Sequence, residues 1–292
     1  MWGAWHLDVF RRFGAPSLLP QLTDRDQVVI HTTQEDHDAV VEICPQAQII
    51  VDADWWLTVK KLQPRSAHAA MWQTDIRRAQ IAGTIIALAW PDVVWGPTMF
   101  QTYRKLLGEE KTAIVTHLPR IALDGCEETL ARARTNRDLA RIALEHEDHL
   151  GWMYRADGGK YPEYCDMVNW RTENGVMTRL FAMTPVCFDP LRHELSERML
   201  LKNSAGARLG FIGDTDEAIA LSIAPVGKET ELMCEGNAPD PVKIRAWSDA
   251  HFSPANAELA KLSHYLHGAD LRPLEWLEIE KQADELAAGA FA

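Results

Sequence analysis

The chain has 292 residues, with 42 Asp plus Glu against 30 Lys plus Arg and a formal net charge of −12. That length suits one large domain or two modest ones, and 47% apolar with 25% charged residues is ordinary globular composition. A disordered chain and a fibrous repeat are excluded, the acidic balance argues against a nucleic-acid partner, and no apolar run reaches the ~20 residues of a membrane span.

Residues 2–19 carry apolar side chains at Trp2, Trp5, Val9, Phe10 and Phe13, a helical spacing closed by Pro16 and Pro20. The absence of a basic start and apolar stretch in this segment argues against a signal peptide and for a cytoplasmic location. Residues 27–33 read as a buried strand, 34–41 as a helix, and 48–51 as a second strand ending in Asp52-Ala53-Asp54. A long helix is expected over 66–82, stopped by Gly83. A fully apolar strand over 84–89 leads to Trp90-Pro91-Asp92. Residues 103–107 belong to a helix, and a fourth strand spans 113–116, ending at His117. Residues 127–150 read as one charge-rich helix and 155–164 as a loop or lid. Beyond these the pattern predicts short strands over 177–183, 186–188, 209–212 and 218–223. A loop-rich stretch over 228–244 follows, then closing helices over 255–266 and 274–288.

The early strands are continuous apolar runs separated by helices, which predicts an α/β fold with a mostly parallel central sheet flanked by helices. Ligands of such sheets bind outside the carboxyl ends of the strands. The polar residues there are His31, Thr32 and Thr33, Asp52 with Asp54, Asp92, and His117.

Asp52-Ala53-Asp54 is a D-x-D after a strand, so both carboxylates can reach one hard cation, or equally cap a turn. Asp92 can hold a divalent ion against a diphosphate, or start a turn. Gly213-Asp214-Thr215-Asp216-Glu217 reads either as a hairpin turn or as an acidic wall of a metal or hydroxyl site. His68, near the start of its helix, is a candidate phosphate or hydroxyl partner, or a structural histidine. His146 and His149 share a helical face with acidic neighbours and no third ligand, which suits a solvated face. The five cysteines (Cys44, Cys126, Cys165, Cys187, Cys234) form no CxxC pair and indicate neither a disulfide framework nor a zinc site. The eleven Trp residues serve core packing or the stacking of sugars and bases. No Gly-rich phosphate loop and no G-x-S-x-G is present.

Trp2-Gly3, Phe10 and Ala15-Pro16-Ser17-Leu18-Leu19 together resemble the opening of a group of bacterial glycosyltransferase-like proteins in the nucleotide-diphospho-sugar transferase superfamily. The resemblance continues through Ala69-Ala70-Met71, Trp90-Pro91-Asp92-Val93-Val94-Trp95-Gly96, Asn169-Trp170-Arg171, Arg179-Leu180-Phe181, Pro185 and Phe188-Asp189-Pro190. It ends at the acidic turn from Gly213 to Glu217. It implies the type-A glycosyltransferase fold, with residues 1–125 as a nucleotide-binding α/β part. Residues 126–292 would be a mixed α+β acceptor-side part in one continuous globule.

The resemblance further implies a nucleotide-sugar donor near Trp2, Gly3, His31 and Thr32, and the strand-end reading adds Asp54 and His68 to the donor side. Asp92 would ligate Mn2+ or Mg2+, and Asp214 or Asp216 would orient or deprotonate the acceptor hydroxyl. The acceptor and any homo-oligomer stay open. Two departures favour an alternative, a non-catalytic binding or assembly protein of the same fold. Little chain precedes Trp2-Gly3 where the family carries a strand, and Ala182-Met183-Thr184 stands where the family carries histidines. A metal-dependent hydrolase using Asp52, Asp54 and His68 is a third reading, with an incomplete ligand count.

Overall fold

The computed structural model describes residues 3–51, 64–146, 159–161, 167–173, 175–181, 185–195, 201–203, 208–224, 234–236, 240–242, 244–246, 258–268 and 276–291. The first helical segment runs through Ala4–Val9, a π-helical turn Phe10–Gly14, and Ala15–Leu18. The wide turn closes with Ala15 N–H donating to the Phe10 carbonyl, just before Pro16, which has no N–H to continue the ordinary ladder. Glycine is required at position 14, since a Cβ there would stand 2.7 Å from the Phe10 ring and 3.0 Å from the Pro91 carbonyl.

Further helices span His37–Ile43, Pro64–Ala82, Met99–Gly108, Glu127–Arg132, Asn136–Glu145 and Trp276–Phe291. The single helix expected over 127–150 is thus two, with 147–150 outside the described residues. Thr135 ends the link between them. Its hydroxyl accepts from the Asp138 N–H while the Asp138 carboxylate accepts from the Thr135 N–H, a capping box that starts a new helix.

The described strands are β1 (Val29–Thr32), β2 (Gln48–Val51), β3 (Ile86–Ala87), β4 (Val93–Trp95), β5 (Ala113–Thr116), β6 (Arg120–Ala122), β7 (Gly159–Tyr161), β8 (Met167–Thr172), β9 (Gly175–Leu180), β10 (Cys187–Phe188), β11 (Glu194–Leu195), β12 (Leu201–Asn203), β13 (Leu209–Ile212), β14 (Ala220–Ala224), β15 (Cys234–Gly236) and β16 (Ser263–His267). Where one mostly parallel sheet is expected, these strands make a mixed α/β fold of small sheets. The orders are β1-β2, β13-β5-β10-β3, β4-β14-β6, β16-β9-β8, β11-β12 and β15-β7. Three neighbouring pairs are parallel, β1 with β2, β5 with β13, and β6 with β14. Antiparallel β10 enters between β5 and β3, and β4 pairs antiparallel with β14. The apolar-run criterion identifies strands buried on both faces, which antiparallel strands inside a layered core satisfy as well.

Two further expectations are corrected. Of the closing helix expected over 255–266, residues 258–259 are helical, and from Ser263 the chain is strand β16, which pairs along its whole length with β9; residues 255–257 lie outside the described part. The loop or lid over 155–164 contains β7, antiparallel to β15, with the rest of that stretch outside the described residues. The main core gathers Phe10, Trp95, Met99, Tyr103 and Ile114 with Val186, Cys187 and Ile212. It therefore draws on both sides of position 125. Cys44, Cys126 and Cys187 are buried free thiols. No helix among the described residues is long and apolar enough to cross a membrane.

Candidate functional site

The parallel pair β5–β13 ends in polar residues on both strands. Ala113 to Thr116 are all buried, and the Thr116 hydroxyl donates to the Ile212 carbonyl at 3.1 Å, tying the two carboxyl ends together. His117 follows β5, and Gly213 to Glu217 follow β13. The turn is held against β16. Tyr265 N–H donates to the Gly213 carbonyl at 2.7 Å, and Thr215 N–H donates to the Tyr265 carbonyl at 3.1 Å. The buried Thr215 hydroxyl donates to that same carbonyl and accepts the His267 N–H at 3.1 Å. A threonine hydroxyl can do both at once, because it is donor and acceptor.

This lacing brings Asp214 and His267 together. His267 Nε2 lies 2.9 Å from Asp214 Oδ1, which also accepts the Asp216 N–H at 2.9 Å. Asp216 faces outward onto Arg137, from the first turn of Asn136–Glu145, with Nε 2.7 Å from Oδ1 and Nη2 3.0 Å from Oδ2. This fork-to-fork pairing holds the Asp216 carboxyl below the usual carboxylate range. One ligand atom from each of Asp214, Asp216 and His267 falls within 4.8 Å of the others, close enough for side-chain rotation to bring all three onto one divalent ion.

Behind this group lie two more histidines. His264 and His117 are wholly buried, their ring centroids 5.4 Å apart. Burial takes the His264 imidazolium down to about 4 and pushes His117 well below its ordinary value, so both rings are neutral at pH 7. Neither ring nitrogen of His264 has a hydrogen-bond partner among the described residues.

The other expected residues sit elsewhere. His31 and Thr32 end β1, with His31 Nε2 2.8 Å from Asp75 Oδ2 on the helix Pro64–Ala82, and Thr32 is buried. Gly3 N–H donates to Asp36 Oδ2 at 2.7 Å, and the Thr33 hydroxyl donates to the same oxygen at 3.1 Å. Gly3 and the β1 tip therefore do come together. Asp92 stands just before β4, and its carbonyl accepts the Ile223 N–H at 2.7 Å. Burial raises its carboxyl above the ordinary value, with Arg120 acting in the opposite sense. Among the described residues, Asp92 is not part of the group that could hold a metal. Trp2, Asp52 and Asp54 lie outside the described residues, as does the side chain of His68.

His267 and Arg137, which complete the group around Asp214 and Asp216, are absent from the sequence reading. A signal for Arg137 is its place in the first turn after the Thr135 capping box. His267 has no local signal beyond the polar ends of the Ser-His-Tyr-Leu-His strand. Comparison with models of known families, with curated proteins and with solved structures finds no match.

Proposed function

We propose that the protein is a glycosyltransferase of the type-A fold, moving a sugar from a nucleotide-diphosphate donor with a divalent cation held by Asp214, Asp216 and His267. The observation that carries this reading is the three-ligand group itself, at the carboxyl ends of a parallel strand pair. The residues fit such an ion. Bonds of about 2.1 Å put opposite donors of an octahedral site about 4.2 Å apart, so small side-chain rotations bring these groups onto one cation. Two carboxylates with one imidazole suit Mn2+ better than Mg2+, which prefers oxygen alone.

A cation bound there would neutralise the diphosphate as it leaves the sugar. The chain's own contribution is to hold Asp214 by the His267 ring and the Asp216 N–H, and to keep Asp216 ionised through Arg137. In this reading Asp214 and Asp216 are cation ligands rather than acceptor-side carboxylates, and Asp92 does not enter. Gly3, His31 and Thr32 at the β1 tip remain the proposed nucleotide side.

One observation favours the second reading, a non-catalytic binding or assembly protein. Both carboxylates already have partners in the fold, His267 for Asp214 and Arg137 for Asp216. Calorimetric titration with Mn2+ and uridine or guanosine diphosphate sugars separates the two. The transferase reading expects Mn2+-dependent donor binding that Asp214→Ala abolishes. Failure of every donor to bind, with or without the metal, leaves the second reading standing.

A further inference from the structure

We propose that Arg137 is a tethered counter-ion for Asp216 that holds down the affinity of the site for a free cation, so that cation and anionic donor enter together. This rests on the cation-site reading above and adds a regulation to it. The Arg137 guanidinium meets both oxygens of Asp216, at 2.7 and 3.0 Å, while Asp216 also belongs to the group that would ligate the ion. A divalent ion arriving at Asp214 and Asp216 meets a fixed positive charge already on one of its ligands. The two cations repel across the carboxylate that they share.

A second feature points to the same place. His264 is wholly buried beside this group, without a hydrogen-bond partner among the described residues, and is electrostatically coupled to Asp214 and His267. The inner side of the site is thus closed to solvent, while the Asp216–Arg137 pair faces outward. Arg137 is about one-third exposed, so its fork can turn outward. Once a cation takes over Asp216, the released guanidinium has five donors suited to a phosphate. The repulsion that opposes a bare cation is then relieved by the charge of the diphosphate. Such a site binds free metal weakly and fills when the charged donor is present.

The experiment measures Mn2+ affinity by the loss of the free-ion paramagnetic signal, first with metal alone and then with uridine diphosphate as the anionic probe. Wild type, Arg137→Gln and Arg137→Lys are compared, with circular dichroism as the folding check. Arg137→Gln is expected to bind Mn2+ alone about tenfold more tightly than wild type, and Arg137→Lys, which keeps the charge and loses the fork, about threefold more tightly. Adding uridine diphosphate should tighten Mn2+ binding in wild type and do so less in Arg137→Gln. If Arg137→Gln does not fold, the threefold shift in Arg137→Lys decides. Measurable Mn2+ binding in wild type with no tightening in the folded variants overturns the counter-ion role alone. No Mn2+ binding in any of the three proteins overturns both this role and the cation-site reading.

Discussion

Strands β1 and β13 each run parallel to a neighbour and pass the chain into a polar turn at their carboxyl ends, yet the two turns are completed differently. At β1, the carboxylates meet partners that lie at most 44 residues away in the chain. Asp36 accepts from Thr33 and from Gly3, 33 residues away, and Asp75 meets His31, 44 residues away. At β13, the partners come from further off. His267 is 53 residues from Asp214, and Arg137 is 79 from Asp216. The first turn ends as separate hydrogen-bonded pairs. The second gathers two carboxylates, an imidazole and a guanidinium in one place. A polar residue at a strand tip is therefore only half of a site; the other half is whatever distant segment the fold lays beside it.

The largest expected effect tests how far burial behind the β13 turn matters. His264 has its proton affinity lowered from about 6.5 in the unfolded chain to about 4 in the fold. The unfolded chain therefore takes up the proton first. Stability from this residue is complete above pH 6.5 and is lost as pH falls from there towards 4, by ~3 kcal/mol in all. The buried His117 ring acts in the same direction. Urea unfolding at pH 7 and pH 4.5 measures the loss, and His264→Leu should remove much of its pH dependence. An unchanged acid loss in that variant would move the effect to other groups.

Next is the joint between the turn and β16. Thr215→Val keeps the shape of a wholly buried side chain but leaves the His267 N–H without its acceptor. A buried donor left unsatisfied costs ~2 kcal/mol. Denaturant midpoints should show that loss, together with weaker Mn2+ binding as Asp214 and His267 drift apart. A stable variant would mean that the pairing of β16 with β9 positions His267 without help from the turn.

At the β1 tip the corresponding change is smaller. Asp36→Ala removes the acceptor of Gly3 and Thr33 at a half-exposed position, a loss of ~1 kcal/mol. Proteolysis near the amino terminus should speed up, while Mn2+ binding stays as in wild type. A drop in Mn2+ affinity would mean that the two turns belong to one site.

The asymmetry between the turns also marks what the sequence could convey. Strands β1, β2, β5 and β13 and the long helix Pro64–Ala82 were legible because each is a short apolar run or a helical periodicity bounded by breakers. Asp214 and Asp216 were visible as a spaced acidic pair after a strand. The remainder depended on tertiary pairing. Leu259, Leu262, Tyr265 and Leu266 have helical spacing, yet hydrogen bonding to β9 makes Ser263–His267 a strand and carries His267 to Asp214. Asp92 follows an apolar run as expected of a ligand, but β4 begins immediately after it and pairs with β14, which leaves Asp92 beside Arg120.

The smallest expected effect on stability separates the two readings of the β13 turn most sharply. The Asp216 side chain is 47% exposed and the Arg137 side chain 32%, so their ion pair is largely screened by solvent. Exposed pairs of this kind are worth ~0.2–1 kcal/mol even when two oxygens meet two nitrogens. Asp216→Asn keeps the size and one acceptor oxygen, so unfolding in urea should shift by a few tenths of a kcal/mol. The same change removes one of two carboxylates from a three-ligand site, and Mn2+ affinity should fall by at least tenfold. If the turn exists to fasten the helix Asn136–Glu145 to β13, stability and helix protection from hydrogen exchange should drop together, with no metal affinity to lose. A near-silent effect on folding with a large effect on Mn2+ binding assigns Asp216 to ligand chemistry, because a carboxylate kept for structure alone has no metal affinity to lose.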